Sequence, residues 1–422
     1  MTVLPLVGIR PRSMQVRRRL SAAEVSERRL KRRVGVIWGL LVLNVLSFSG
    51  GISVIPIPSA VGKVITQGAL SLAVLLALIL NPRGKFRPNI FLFLLTLLAL
   101  EAILGALGAD FTKGMWYRVF RMGEFVIVLW LLSPYWNRAD MLLVRCHMKA
   151  MLWVVFTVVA GIAISPHGAL NGGRLQDVIW PIPSTQVAHY AAVCIGITAI
   201  SWFCGQLRGK VALFYTVVSL AVLVLTHTRT ALVALVVGLT VGGLSLIVST
   251  RRVRRLFAGV AAIALVAFAT ASSAIINWMA RGEGSSQLTS LTGRTGFWGP
   301  LLAAPRTTYQ EIVGFGLSNG TFNGLPVDSN WILSYQDQGI AGVVLCAVIL
   351  VYVLIAACLQ SRGVRRALAL FFVAYCIVAS FTEDGITNPS TYMLDVTVAA
   401  SLLLPSAPWR SVPATDVRPS QP

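Results

Sequence analysis

Apolar residues along this chain gather into runs of about 20, separated by short polar stretches. The runs fall near 34–55, 59–80, 89–108, 115–132, 147–165, 184–205, 211–227, 230–249, 256–278, 329–358, 365–381 and 388–405. As helices they match the hydrocarbon core of a bilayer, because ~20 residues rising ~1.5 Å each cover ~30 Å. The pattern predicts an all-α fold, a polytopic integral membrane bundle of about 12 transmembrane helices. Two outer connections are longer than a link requires, about 166–183 and about 279–328. Long connections tend to be functional, and the second is expected to form an extracytoplasmic loop carrying short helices. The predicted organisation is a basic cytoplasmic tail over 1–33, a transmembrane domain over 34–405 and a second cytoplasmic tail over 406–422.

Composition reinforces the pattern. Of 422 residues, 56% are hydrophobic and only 12% charged, where soluble domains carry about 25% charged residues. The net charge of +21 could suit a nucleic-acid protein on totals alone. Its distribution argues for lipid instead, because the basic residues cluster in alternate loops. Arg83, Lys85 and Arg87 fill one such loop, then Arg138, Arg145 and Lys149, then Arg208 and Lys210. Arg251, Arg252, Arg254 and Arg255 follow, and finally Arg362, Arg365 and Arg366. The intervening loops carry Asp110, Asp177, Glu283, Glu311, Asp328, Glu383 and Asp384. This alternation places both termini in the cytoplasm. The first apolar run is too long for a typical signal peptide and is expected to be a retained span. The six cysteines form no CxxC pair, so neither a disulfide framework nor a structural zinc is expected.

Several polar residues inside or beside the apolar runs need a reason. Arg118, Arg121 and Glu124 recur at spacings of three, along one face of the fourth span. A mid-membrane arginine costs at least ~2.5–3.5 kcal/mol, so it persists when paired or when it lines a wet cavity. Glu101 of the third span lies at similar depth. The two readings are a structural Glu101–Arg121 pair and an anion site opening outward. The segment THTRTAL, 226–232, makes a tight turn with Arg229 at the membrane boundary, where it either snorkels or binds a ligand. The long outer loop holds LTGRTGFW, 291–298, and then GFGLSNGTFNGLPVDSNWILSYQDQGIAG across 314–342. Its glycines imply a sharply turning backbone. Asp328 precedes the tenth span, as a helix cap or as a chemical group.

These segments together resemble the O-antigen polymerase and O-antigen ligase superfamily. THTRTAL resembles its T-x-S-R-(T/G) segment. LTGRTGFW resembles its G-R-x-x-x-W element. The glycine-rich stretch resembles its G-x-G…H-N-x-(Y/F)-L…E-x-G-(I/L)-x-G signature, and Arg174 in GGRLQDVIWPIPSTQVAHY resembles an arginine ahead of a Pro-containing segment. The likeness covers most of 115–345. One departure favours a polymerase over a ligase. Asp328 stands where the ligase branch has His, and Ser329 where it has Asn.

The resemblance implies transfer of a glycan from a polyprenyl diphosphate carrier to a sugar hydroxyl, at the outer leaflet of a bacterial plasma membrane. It implies no nucleotide, cofactor or metal. Arg229 and Arg294 would grip the departing diphosphate, since guanidinium matches phosphate oxygens two at a time. Arg118, Arg121 and Arg174, with Glu101 orienting, would extend the grip on substrate, and Asp328 would serve as base. The partners implied are the lipid-linked donor, a glycan acceptor, membrane lipids and other polysaccharide-export proteins, with no nucleic acid. Rival readings are a ligase acting on a lipid or protein acceptor, and a transporter or flippase of lipid-linked glycan, which would place paired charges near the midplane.

Overall fold

The computed structural model describes residues 21–48, 53–55, 57–136, 138–247 and 295–404, with 253–255, 258–259 and 270 between them. The described chain is almost wholly helical. Its elements run α1 (Ala22–Val45), α2 (Ser59–Leu80), α3 (Ile90–Leu107), α4 (Lys113–Leu132), α5 (Leu142–Ile164), the single turn α6 (Pro166–Ala169), α7 (Ser184–Phe203), α8 (Gly209–Leu225) and α9 (Arg229–Ile247). Beyond residue 294 come α10 (Thr295–Leu302), α11 (Thr308–Val313), α12 (Asn330–Leu359), α13 (Val364–Ala379) and α14 (Thr391–Leu403). One antiparallel hairpin pairs Thr321 with Pro326 and Phe322 with Leu325.

Helices answer the predicted runs closely, except that the run at 256–278 falls almost entirely outside the described residues. Six of them, α2, α3, α5, α7, α9 and α12, are long and apolar enough to cross a membrane, and α8 and α14 are shorter apolar helices. Their outer faces are those of a membrane protein. Val64, Leu75 and Ile79 on α2, and Leu213, Phe214 and Val217 on α8, are large apolar side chains left exposed, which lipid covers as water would not.

The helix α1 begins inside the segment expected as a basic tail. The chain is already helical from Ala22, not from the first apolar residue of the run. Ser21 and Glu24 form a reciprocal capping box, Glu24 N–H donating to Ser21 Oγ at 3.2 Å and Ser21 N–H to Glu24 Oε2 at 2.8 Å. The intervening Arg and Lys residues are good helix formers, so the basic segment 22–33 is the first three turns of the helix.

The interior is built on α7 and α13. α7 is 78% buried over its apolar window, and Ala367 through Tyr375 of α13 are all buried. α13 lies along α9, α7 packs on α8 and α5, and α1 packs on α2 and α5. Close approach rests on missing side chains. A Cβ at Gly196 of α7 would overlap the Phe371 ring, and one at Gly238 of α9 would come within 2.9 Å of it. Small residues at such crossings let packed helices replace the hydrophobic drive that lipid removes.

Candidate functional site

The last turn of α1, the start of α2, α4, the start of α7 and two loops enclose a cavity of about 440 Å³. The loops are Ser318–Gly320 and Glu383–Ser390. Arg118 and Arg121 of α4 both line it. Arg121 donates from Nε to Asn44 Oδ1 at 3.1 Å and from Nη2 to the Asn44 carbonyl at 3.0 Å and the Pro389 carbonyl at 3.4 Å. Arg118 Nη1 donates to the Leu317 carbonyl at 3.5 Å. Both guanidinium groups are thus held by neutral oxygens. Glu124, predicted on the same face, turns away and accepts from Ser71 Oγ at 2.9 Å.

The Glu101–Arg121 pair does not form. Arg121 is occupied by Asn44 and Pro389, while Glu101 is buried on α3, lies outside the cavity wall and has no hydrogen-bond partner on either carboxylate oxygen. The nearest carboxylate whose charge it feels is that of Asp337.

Arg174 and Arg229 occupy a neighbouring position. The backbone between α8 and α9 turns over Thr226–Thr228, with His227 at φ 51°. Arg174 braces that turn, donating from Nε to the Thr226 carbonyl at 3.2 Å and from Nη2 to Thr228 Oγ1 at 3.3 Å. Arg229, half-buried, opens α9 beside it. The next residue, Thr230, shares a 2.7 Å hydrogen bond with Thr382, tying the turn to the loop that carries Glu383 and Asp384. Neither arginine lines the cavity itself. Arg294 lies outside the described residues.

The stretch Asp328-Ser329-Asn330 is a fastening point. Ser329, not Asp328, occupies the N-cap of α12, and its side chain makes no capping bond. Asn330 is buried and holds the loop after α13: its N–H donates to the carbonyls of Ser380 and Glu383, and its Oδ1 accepts from Ile386 N–H at 2.8 Å. Ser334 reinforces this through Thr387 at 3.0 Å. Further along, Asp337 Oδ2 accepts from Ser318 N–H at 3.0 Å, so the Asp337-Gln338-Gly339 element anchors the other cavity loop. Gly339, at φ 60°, is required there, because a Cβ would overlap Ile312's backbone.

Glu383 and Asp384 are the carboxylates that line the cavity, and Asp384 is exposed. Its side chain keeps contact with solvent through the cavity. Desolvation by the protein crowded around it, and then the neighbouring Asp328 carboxylate, push its carboxyl up to about 6. The sequence offered Glu383 and Asp384 only as charges of an outer loop. Their place at the cavity depends on Asn330, some fifty residues away. His189 of α7 and Tyr392 of α14 also line the cavity, and no local motif marks either. A better signal was available in Asp395, an acid inside an apolar run, where an ionisable group is costly and generally functional.

Among the described residues, no group of three or more His, Cys, Asp or Glu side chains is placed to hold a metal ion. No family model matches the chain, and no curated protein matches it.

Proposed function

We propose that this protein transfers or polymerises oligosaccharide units from a polyprenyl diphosphate carrier onto a sugar hydroxyl, in the manner of an O-antigen polymerase. On this reading the bundle has twelve spans with both termini in the cytoplasm, and the cavity opens at the outer leaflet of a bacterial plasma membrane. One observation carries the reading: Arg118, Arg121 and Asp384 line a single cavity without pairing with one another.

In the reaction, Arg118 and Arg121 hold the diphosphate. The bond between the anomeric carbon and the diphosphate breaks, and the diphosphate leaves with the electron pair. The acceptor oxygen bonds to that carbon and gives its proton to Asp384. An ordinary aspartate is always ionised at neutral pH but a weak base; a carboxyl lifted to about 6 is the better acceptor. Asp328 acts through Asp384 by raising its basicity. Arg229 and Arg174, at the turn that Thr230 ties to Thr382, add positive charge beside the cavity loop, and Arg294, expected in the same role, lies outside the described residues.

The test is an assay in proteoliposomes with polyprenyl-diphosphate oligosaccharide and no ion gradient. The expected result is a lengthened or transferred glycan. A glycan that crosses the bilayer chemically unchanged would show a transporter instead, and transfer to a lipid or protein acceptor alone would show a ligase.

A further inference from the structure

Three ionisable side chains are packed together, His189 in the cavity wall and two behind it. His147 of α5 and Asp395 of α14 are 0% exposed, and His189 of α7 is 1% exposed. His147 Nε2 lies 2.7 Å from Asp395 Oδ1, and His189 Nε2 lies 3.0 Å from Asp395 Oδ2. Trp38 of α1 closes the row, its indole Nε1–H donating to His147 Nδ1 at 3.3 Å.

The proton positions follow in order. An indole nitrogen only donates, so His147 Nδ1 accepts and carries no hydrogen. The His147 proton is therefore on Nε2, directed at Asp395 Oδ1. An ionised Asp395 can accept from both histidines, and a buried carboxylate is very costly unless a cation balances it. His147 cannot become the cation without losing the Trp38 bond. His189, against the other carboxylate oxygen, is the remaining partner. It is ringed by Tyr392, Tyr375 and Tyr190 in T-shaped contacts, with centroids 4.4, 5.3 and 5.7 Å away. The other charged groups that line the same cavity are Arg121, Arg118, Glu383 and Asp384. The 3.0 Å approach of His189 Nε2 to Asp395 Oδ2 is an ion-pair contact without hydrogen-bond alignment, and Nδ1 is a buried nitrogen with no hydrogen-bond partner.

We infer that His189 is the third cation of the cavity, an imidazolium held by Asp395 whose Nδ1–H binds an oxygen of a phosphate or diphosphate ligand, directly or through one water. The inference rests on the proposed seating of a diphosphate between Arg118 and Arg121. His189 shares their wall. Arg121 is fixed by Asn44 and Pro389, and His189 lies one turn beyond Gln186, whose side chain donates to the Val45 carbonyl at 2.8 Å.

The experiment measures binding of two probes to the full-length protein in nanodiscs, a polyprenyl diphosphate and inorganic pyrophosphate. His189→Gln and Asp395→Asn are expected to weaken binding about 10- to 100-fold, the effect of one lost charge-assisted hydrogen bond. A loss in either arm supports the inference, and the arms separate a lipid source from a soluble one. His167→Gln, on the exposed turn α6, is expected to change nothing. Nitrogen NMR of the wild-type protein labelled in its four histidines needs no variant: His189 should carry protons on both ring nitrogens and His147 on Nε2 alone. Binding within twofold of wild type in a folded His189→Gln protein, or a neutral His189 in the wild type, overturns the inference and leaves the proposed function standing. A wild type that binds neither probe overturns both.

Discussion

Among the described residues, two groups of charges are handled in opposite ways. Near the start of α1, Lys31 bridges Glu27 at 2.8 Å and Asp140 at 2.9 Å, and Arg138 meets Glu27 at 3.1 Å. There cations and anions satisfy each other. About 20 Å along the same helix, by thirteen residues of rise, Asn44 reaches the cavity. There Arg118 and Arg121 are held by amide and carbonyl oxygens, and no ion pair among the described residues joins them to Asp384. The two aspartates register the difference. Burial opposes ionisation of Asp140, but the Lys31 hydrogen bond and the charges of Lys31, Arg138 and Arg145 outweigh it and hold its carboxyl below the usual range. Asp384 receives no such cation, and crowding plus Asp328 lift its carboxyl to about 6. Charges spent on one another build a joint between helices; charges kept apart by neutral partners remain available to a ligand.

The largest expected break in this comparison is Arg121→Ala. If the cavity arginines hold the diphosphate, losing one preorganised donor lowers transfer about 100- to 1,000-fold, read as turnover of lipid-linked oligosaccharide in membranes at matched protein level. Arg121→Lys should recover only part, because a lysine cannot reproduce the contacts to Asn44 and Pro389. Near-normal turnover in both variants would remove α4 from the site.

A smaller effect separates the two aspartates by pH. As the proton acceptor, Asp384 must be ionised, so transfer should rise through about pH 6 and level off above it. Asp328→Asn removes the neighbouring charge and should move that limb to lower pH without abolishing transfer. Stability runs the other way. A carboxyl raised in the folded state contributes stability that is fully present below its ordinary 3.8 and lost as pH rises through about 6. Asp384→Asn should therefore raise the melting midpoint at neutral pH and leave it unchanged in acid, while reducing turnover. For Asp140, held low, the contribution is present above 3.8 and lost as pH falls below it. A pH limb that survives unchanged in Asp384→Asn would assign the base elsewhere.

The two regions also differ in how far the sequence revealed them. The helices were legible, because length and apolarity are local properties. Arg118 and Arg121 were legible as a pair for the same reason, a spacing of three on one helix. The partner of Arg121 was not. Glu101 matched it in depth, yet depth along a helix says nothing of rotation about the neighbouring axis, and Asn44 and Pro389 held the geometry. Asp328 stood out as an acid before a span, but the carboxylates lining the cavity are Glu383 and Asp384, delivered by hydrogen bonds from Asn330 across an intervening helix pair. The buried His147–Asp395–His189 row was hidden in three separate apolar runs.

The smallest expected effect tests the satisfied end. Lys31→Met removes the cation shared by Glu27 and Asp140 but keeps a helix-forming side chain. Lys31 is partly exposed, so water and salt already screen much of its attraction. Arg138 remains against both carboxylates, 3.1 Å from Glu27 and 3.6 Å from Asp140. The melting midpoint should fall by no more than about 2 °C, and less in high salt. Transfer should stay within about twofold of wild type, since nothing at this end touches the cavity. A loss as deep as that of Arg121→Ala would mean that the two clusters are coupled along α1, and that the paired charges at its start set the position of Asn44 against Arg121.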